Sequence, residues 1–388
     1  MNAENLLASV AAIASVIVVL VGVRALPLSL MIPLLPSGSE DTRQTRVAAI
    51  DGLRAFLALG VVFLHAWAFR DTYFAGRPFD LPRNPFFCEC GLMAVLLFFM
   101  ITGFLFWNKA LDARGRLSPF RLYSNRARRI LPLYYFLCVC ALAVVVVRAG
   151  GAFNEPFGVW SREVAGLIVP GLRSAGPLLG SERKVLIAQS WTLYYEDLFY
   201  LALPLFGMAA RSRRSAGALV LVVFLLLVVK RVLLHRYDYF SLSFLAGIST
   251  AELLALRPGA RRILCLKWLG GPILVAPCLL PWVTGGAVTP LSFVCAAASF
   301  AAIAAGNDLF GLLTLRSVRV VGTLSYSIYL LHMLILFCGL ALLNRTLLIA
   351  PLGSAAFSAI VACAVMIIVA LSMLTYRYIE KPWMRARP

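Results

Sequence analysis

Three ionisable side chains, Asp51, Arg54 and His65, stand in an otherwise apolar run over residues 48–69. Groups of this kind are expensive inside a membrane-type segment, and they face a protein interior or a watery cavity where they have work to do. Arg54 and His65 are eleven residues apart. At about 100° per residue that is about 20° past three full turns, so a helix puts both on one face, about 16 Å apart along its axis. That face offers a guanidinium suited to an anion and an imidazole suited to moving a proton. Two more groups belong with them. Glu196 and Asp197 sit in an apolar stretch at 190–209, and His332 sits within 320–343. A carboxylate beside an imidazole orients it and stabilises its charged form. The blander alternative is an arginine snorkelling at a helix end and a histidine bonded inside a bundle.

These residues need elements to position them, and composition says which. The chain has 388 residues, 61% hydrophobic and 14% charged, with a mean hydropathy of +0.88. A soluble chain carries about 25% charged residues. The class is therefore all-α, a polytopic membrane helix bundle. A net charge of +19 would point to nucleic acid in a soluble protein. Here the sidedness of membrane loops accounts for it, and no nucleic-acid partner is expected. No CxxC pair occurs among the nine cysteines, and most lie in apolar segments as small hydrophobes. Cys88 and Cys90 flank Glu89, the one grouping resembling a metal site; no metal is expected there.

Apolar runs predict eleven membrane helices. The first, 6–35, follows a leader without positive charge and reads as a retained helix, kinked near Pro27, rather than a cleaved signal. A polar linker follows at 36–46, then the His65 helix and an exit loop at 70–87. The third span, 90–107, holds Thr102 and Gly103, small enough for close helix approach. The next loop, 108–129, carries seven Lys/Arg residues. Spans follow at 130–147, 190–209, 216–229, 239–256, 268–283, 290–305, 320–343 and 352–376. A long loop covers 148–188, and its residues 157–171 read as a short amphipathic piece in the interface. Residues 1–46 form an extra N-terminal helix and linker; residues 47–388 form a ten-helix domain.

With the N-terminus outside, the inward segments hold 22 Lys/Arg and the outward ones 12. That is the asymmetry expected of cytoplasmic loops. Counting inward from each span's end puts Arg54 near the cytoplasmic face. It puts His65, Glu196 and His332 at one level in the outer half. His235, between Arg231 and Arg236 in an outside loop, is expected to be solvated.

Six motifs in order now carry a resemblance. Residues 50–66 (IDGLRAFLALGVVFLHA) hold an Arg-x10-His spacing. FFMITGF at 98–104 has Thr102 where serine is usual. NRARRILPLYY supplies Arg126 and Arg129; SWTLYYEDLFYLALP supplies Glu196; GTLSYSIYLLH supplies Tyr326 and His332; and YRYIEKPW closes the set. Together they resemble the acyltransferase 3 family of integral-membrane O-acyltransferases. The helix before Met31 departs from that family's usual ten spans.

The resemblance implies transfer of an acyl group, most often acetyl, from cytoplasmic acyl-CoA as co-substrate. The acceptor would be a hydroxyl of an extracytoplasmic glycan, glycolipid or related molecule, and no bound cofactor is implied. It also implies the cytoplasmic membrane of a bacterium. His65 would be the general base, with Glu196 its partner and Asp197 the alternative carboxylate. Arg54, Arg126 and Arg129 would hold the phosphates of acyl-CoA. Asp51, Thr102, Tyr326 and His332 would line the site, Asp51 either capping its helix or pairing with Arg54 at i+3. For Arg126 and Arg129 the competing role is plain positive-inside anchoring. A different class stays open: a carrier or flippase for an anionic or glycan-lipid substrate, whose usual mark is a pair of broken spans in matching halves. No such symmetry is visible. The oligomeric state is not legible.

Overall fold

The protein is described here from a computed structural model covering residues 3–26, 42–75, 79–148, 156–168, 170, 186–234, 238–347 and 352–385. It is all helix among the described residues. In chain order the helices are α1 (Ala3–Arg24), α2 (Thr42–Ala75), α3 (Pro85–Asp112), α4 (Pro119–Arg148), α5 (Phe157–Ile168), α6 (Trp191–Gly207), α7 (Arg213–Leu234) and α8 (Tyr239–Leu256). They continue with α9 (Pro258–Leu264), α10 (Gly270–Thr284), α11 (Pro290–Ala305), α12 (Arg316–Thr323), α13 (Ser325–Leu347), α14 (Ser354–Thr375) and α15 (Lys381–Arg385).

Each predicted apolar segment carries helix over its described residues. Among the described residues, fewer than eleven helices pass as crossings by length and composition alone. Seven described helices can cross a bilayer alone, or eight if the bent pair α9 and α10, which meet at 59°, is one span. α6 is short and carries two carboxylates, and α11 and the apolar part of α7 fall below the length a crossing needs.

Several boundaries differ from expectation for local reasons. α2 starts at Thr42, inside the segment read as a linker, because 42–47 contains neither proline nor glycine. α4 starts at Pro119, a residue suited to a first helical turn, so Arg121, Arg126, Arg128 and Arg129 stand on helix rather than loop. The span read as 320–343 is two helices, α12 and α13, broken at Leu324. The amphipathic piece is the helix α5. Pro27 and His235 lie outside the described residues.

α2 is the axis of the bundle. It packs on α3, α11, α12, α13 and α14, and Ala49, Ala58, Val62 and Ala66 along it are fully buried. Its closest neighbour is α12: a Cβ placed on Gly322 would lie 1.8 Å from the Asp51 carbonyl oxygen, so only glycine fits there. The same device joins α3 to α8, where a Cβ on Gly103 would meet the Phe244 carbonyl at 2.4 Å. After α14 the chain makes a π turn, Tyr376–Glu380. It turns Glu380 inward, where the carboxylate accepts from the Ser327 hydroxyl. π turns of this kind cluster at functional sites.

Candidate functional site

Two features meet along α13. The first is a cavity of about 250 Å³ walled by α2, α3, α4, α6 and α13. Arg54 enters from α2, Lys109 from α3, Arg126 and Arg129 from α4, and Glu196 from α6. Four cations thus line the cavity with one carboxylate, and Asp51 beside Arg54 leaves the cations in excess. The cations are held in place. Asp51 lies 3.8 Å from the Arg54 guanidinium. Arg126 stacks over Phe106 at 4.8 Å and Tyr200 at 5.6 Å, and Lys109 sits over Phe106 at 4.8 Å. The Tyr200 hydroxyl donates to Glu196 Oε2 at 2.9 Å, one turn along the same helix. Guanidinium groups stacked on rings keep their donor edges free for an oxyanion.

The second feature is a pair of imidazoles. His65 Nδ1 and His332 Nε2 are 3.1 Å apart. His332 Nδ1 lies 3.2 Å from the Ile328 carbonyl, and His65 Nδ1 lies 3.0 Å from the Val61 carbonyl. A carbonyl only accepts, so in the neutral pair His332 carries its proton on Nδ1 and accepts at Nε2. His65 Nδ1 then faces two acceptors and carries a proton as well. The lone pair of His65 is left on Nε2. This assigns the tautomers from the network, and it leaves one ring nitrogen of the pair available as a base.

The two features share a wall. Tyr329 lines the cavity, and its ring lies 5.9 Å from that of His332. Its hydroxyl is 2.9 Å from Thr192 Oγ1 and donates to the Gln189 carbonyl at 3.1 Å. Tyr326, one turn back, also lines the cavity and donates to the Ile130 carbonyl at 2.7 Å. Thr102 lines it from α3, its hydroxyl tied to the Phe98 carbonyl at 3.0 Å.

The structure therefore gathers Arg54, Arg126, Arg129, Glu196, Thr102 and Tyr326 in one cavity and His65 with His332 beside it. It corrects the expected partner of His65. The imidazole is bonded by His332 and Val61, while Glu196 is bonded by Tyr200 and faces the arginines. The expectation failed because depth was counted from Ser190 as if a membrane surface lay there. Leu186, Ile187 and Gln189 just before α6 are already buried, so α6 begins inside the bundle. Asp197 is not among the cavity residues. Asp51 pairs with Arg54 but does not cap its helix, since α2 begins nine residues earlier. Sequence reasoning missed Lys109, Tyr200, Ser325 and Tyr329. Tyr200 is four residues after Glu196 and Tyr329 three before His332, spacings that put each on its partner's helix face.

A helical membrane bundle with a four-cation cavity next to a paired imidazole is the framework of a multi-pass membrane transferase. Comparison with known proteins gives the family. The model described as "Acyltransferase domain", acyltransferase 3, matches residues 47–377, and the chain belongs to that family. It is a membrane acyltransferase. It is 26% identical over 370 residues to the acyltransferase MdmB of Streptomyces mycarofaciens, covering 88% of this chain and 93% of that protein. It is 35% identical over 111 residues to the exopolysaccharide production protein ExoZ of Rhizobium meliloti, covering 28% of this chain and 32% of that protein. The ExoZ match thus spans about a third of that relative's length. No solved structure matches the chain.

Proposed function

We propose that the protein transfers an acyl group, acetyl in the simplest case, from acyl-CoA to a hydroxyl of an extracytoplasmic glycan or glycolipid, with His65 as general base. The observation that carries this is the shared wall: Tyr329 belongs both to the cation-lined cavity and to the surroundings of His332. A donor whose phosphates rest among Arg54, Arg126 and Arg129 then has its thioester within reach of the imidazole pair. A CoA nucleotide is too polar to enter hydrocarbon, because its phosphates would lose their hydration. It stays at the arginines, and the slender pantetheine arm goes in. The relative named for exopolysaccharide production supports a glycan acceptor.

The chemistry follows from the tautomers. His65 Nε2 takes the proton of the acceptor hydroxyl as its oxygen attacks the thioester carbonyl. The resulting imidazolium is held through Nδ1 by His332 Nε2, which takes the part a carboxylate plays in a hydrolase triad. The carbon–sulfur bond then breaks, and the thiolate leaves with the proton from His65. Glu196 keeps Tyr200 and the arginines in register rather than touching the imidazole. The cytoplasmic membrane of a bacterium and an outside N-terminus complete the proposal, supported by the 22 to 12 division of Lys/Arg.

The test is acyl transfer and acyl-CoA hydrolysis by the purified protein and by His65→Ala. Loss of turnover by about 10²-fold or more, with folded protein retained, is expected of a lost base. A folded His65→Ala variant with near-normal turnover refutes the assignment.

A further inference from the structure

The hydroxyl of Ser325 is buried, with the residue 1% exposed, and has no hydrogen-bond partner, yet Ser325 lines the cation cavity. It is the first residue of α13, and the Leu324 carbonyl accepts from Ile328 at 2.9 Å, which fixes Leu324 as the cap. The first backbone N–H groups of a helix have no partner within it. Ser325, with its orphan hydroxyl, and Tyr326 in the same first turn thus line a cavity that also holds Arg54, Lys109, Arg126 and Arg129. A buried hydroxyl without a partner costs free energy unless a ligand supplies one. Helix N-termini of this kind bind phosphate. Glu196 opposes an anion here, as does Glu380 on the Ser327 hydroxyl in the same turn, but the four cations outnumber the two.

Position selects which phosphate. Ser325 precedes His332 by seven residues on one helix, about 10 Å of axial rise. A pantetheine arm is long enough to join two points at such a separation, and Tyr329 stands on the wall between them. We propose that Ser325 and the first turn of α13 form a seat for the phosphate that ends the pantetheine arm. The donor is then read through its acyl-phosphopantetheine part, and the nucleotide beyond it is held more loosely. The proposal rests on the acyl-transfer reading and deepens it. The same phosphopantetheine chemistry comes from CoA or from an acyl carrier protein.

The experiment compares acetyl-CoA, acetyl-phosphopantetheine, acetylated carrier protein and acetyl-pantetheine, which lacks the phosphate, as donors to the full chain in detergent. The wild type should prefer acetyl-phosphopantetheine over acetyl-pantetheine by about tenfold or more in kcat/KM, as hydrogen bonds to a charged group allow. Ser325→Ala should lose most of that preference. Ser325→Thr keeps the hydroxyl and should retain it, while Ser325→Val, of the same size, should not, so the comparison survives a misfolded alanine variant. Activity with CoA but not with the carrier protein, or with both, identifies the source. Equal preference in wild type and Ser325→Val overturns the seat. Binding of 4′-phosphopantetheine itself, read as a thermal shift, separates the two levels of the argument. If no thioester is a donor but phosphopantetheine still binds about tenfold more weakly to Ser325→Val, acyl transfer fails and the seat stands. Equal binding refutes the seat whatever the donor.

Discussion

Replacing His332 by phenylalanine keeps a ring in the core and removes the acceptor for His65 Nδ1. His332 is fully buried and lies 3.1 Å from that nitrogen, so no water takes its place without a cavity. His65 keeps its second acceptor, the Val61 carbonyl at 3.0 Å. The loss is therefore one hydrogen bond, about 1 kcal/mol for neutral partners and about 2 kcal/mol once the imidazolium forms. The neutral bond already counts in the ground state, so the barrier rises by about 1 kcal/mol and kcat should drop about fivefold with little change in KM for the donor. A steady-state transfer assay measures this. The sharper readout is a double-mutant cycle. On a His65→Ala background, His332→Phe should cost nothing further, since its role passes through His65. His332→Asn, which retains an acceptor, should recover part of the rate. If the two losses multiply, His332 acts on folding or on the cavity and not on the base.

Replacing Arg126 and Arg129 together by alanine should raise KM for acyl-CoA with a smaller effect on kcat, as for contacts present equally in ground and transition states; a kcat-only defect would remove them from donor binding. Gly322→Ala should destabilise the fold by about 3 kcal/mol or more, because the methyl group would overlap the Asp51 carbonyl and push α12 off α2. Thermal unfolding in detergent measures it, and an unchanged midpoint contradicts the packing at Gly322. In a cysteine-depleted background, a cysteine at position 181 should be labelled from outside and one at position 213 should not; the reverse pattern inverts the proposed topology. In sealed vesicles, product should form with acyl-CoA on the cytoplasmic side and acceptor on the other, and product only when both share a side rules out transfer across the membrane.

The chemistry of the site was legible because its residues are conspicuous. Ionisable groups in apolar runs pick out Arg54, His65, Glu196 and His332 with no structure at all. What the sequence did not carry was depth. Counting residues from a span's end assumes that each helix begins at a membrane surface, and α6 breaks that assumption by starting behind the buried residues Leu186, Ile187 and Gln189. Glu196 therefore moved from the histidines to the arginines. The break at Leu324 was equally silent. No proline or charge marks it, and its cause is tertiary: Gly322 is pulled against the Asp51 carbonyl while Ser325 starts a new helix. Crossing length was equally hard to read, because α11 and the apolar part of α7 are apolar enough to be found but shorter than a full span.

That break at Leu324 ties the two halves of the site together. A continuous helix through 316–347 would satisfy the backbone N–H groups near Ser325 from the preceding turn, and no free donors would face the cavity. Beyond the break α13 packs on α2 in its turn, where His332 meets His65 and Tyr329 walls the cavity. The close contact of Gly322 with the Asp51 carbonyl holds α12 on α2 two residues before the break, so the start of α13 and the ring of His332 are both referenced to the helix that carries His65.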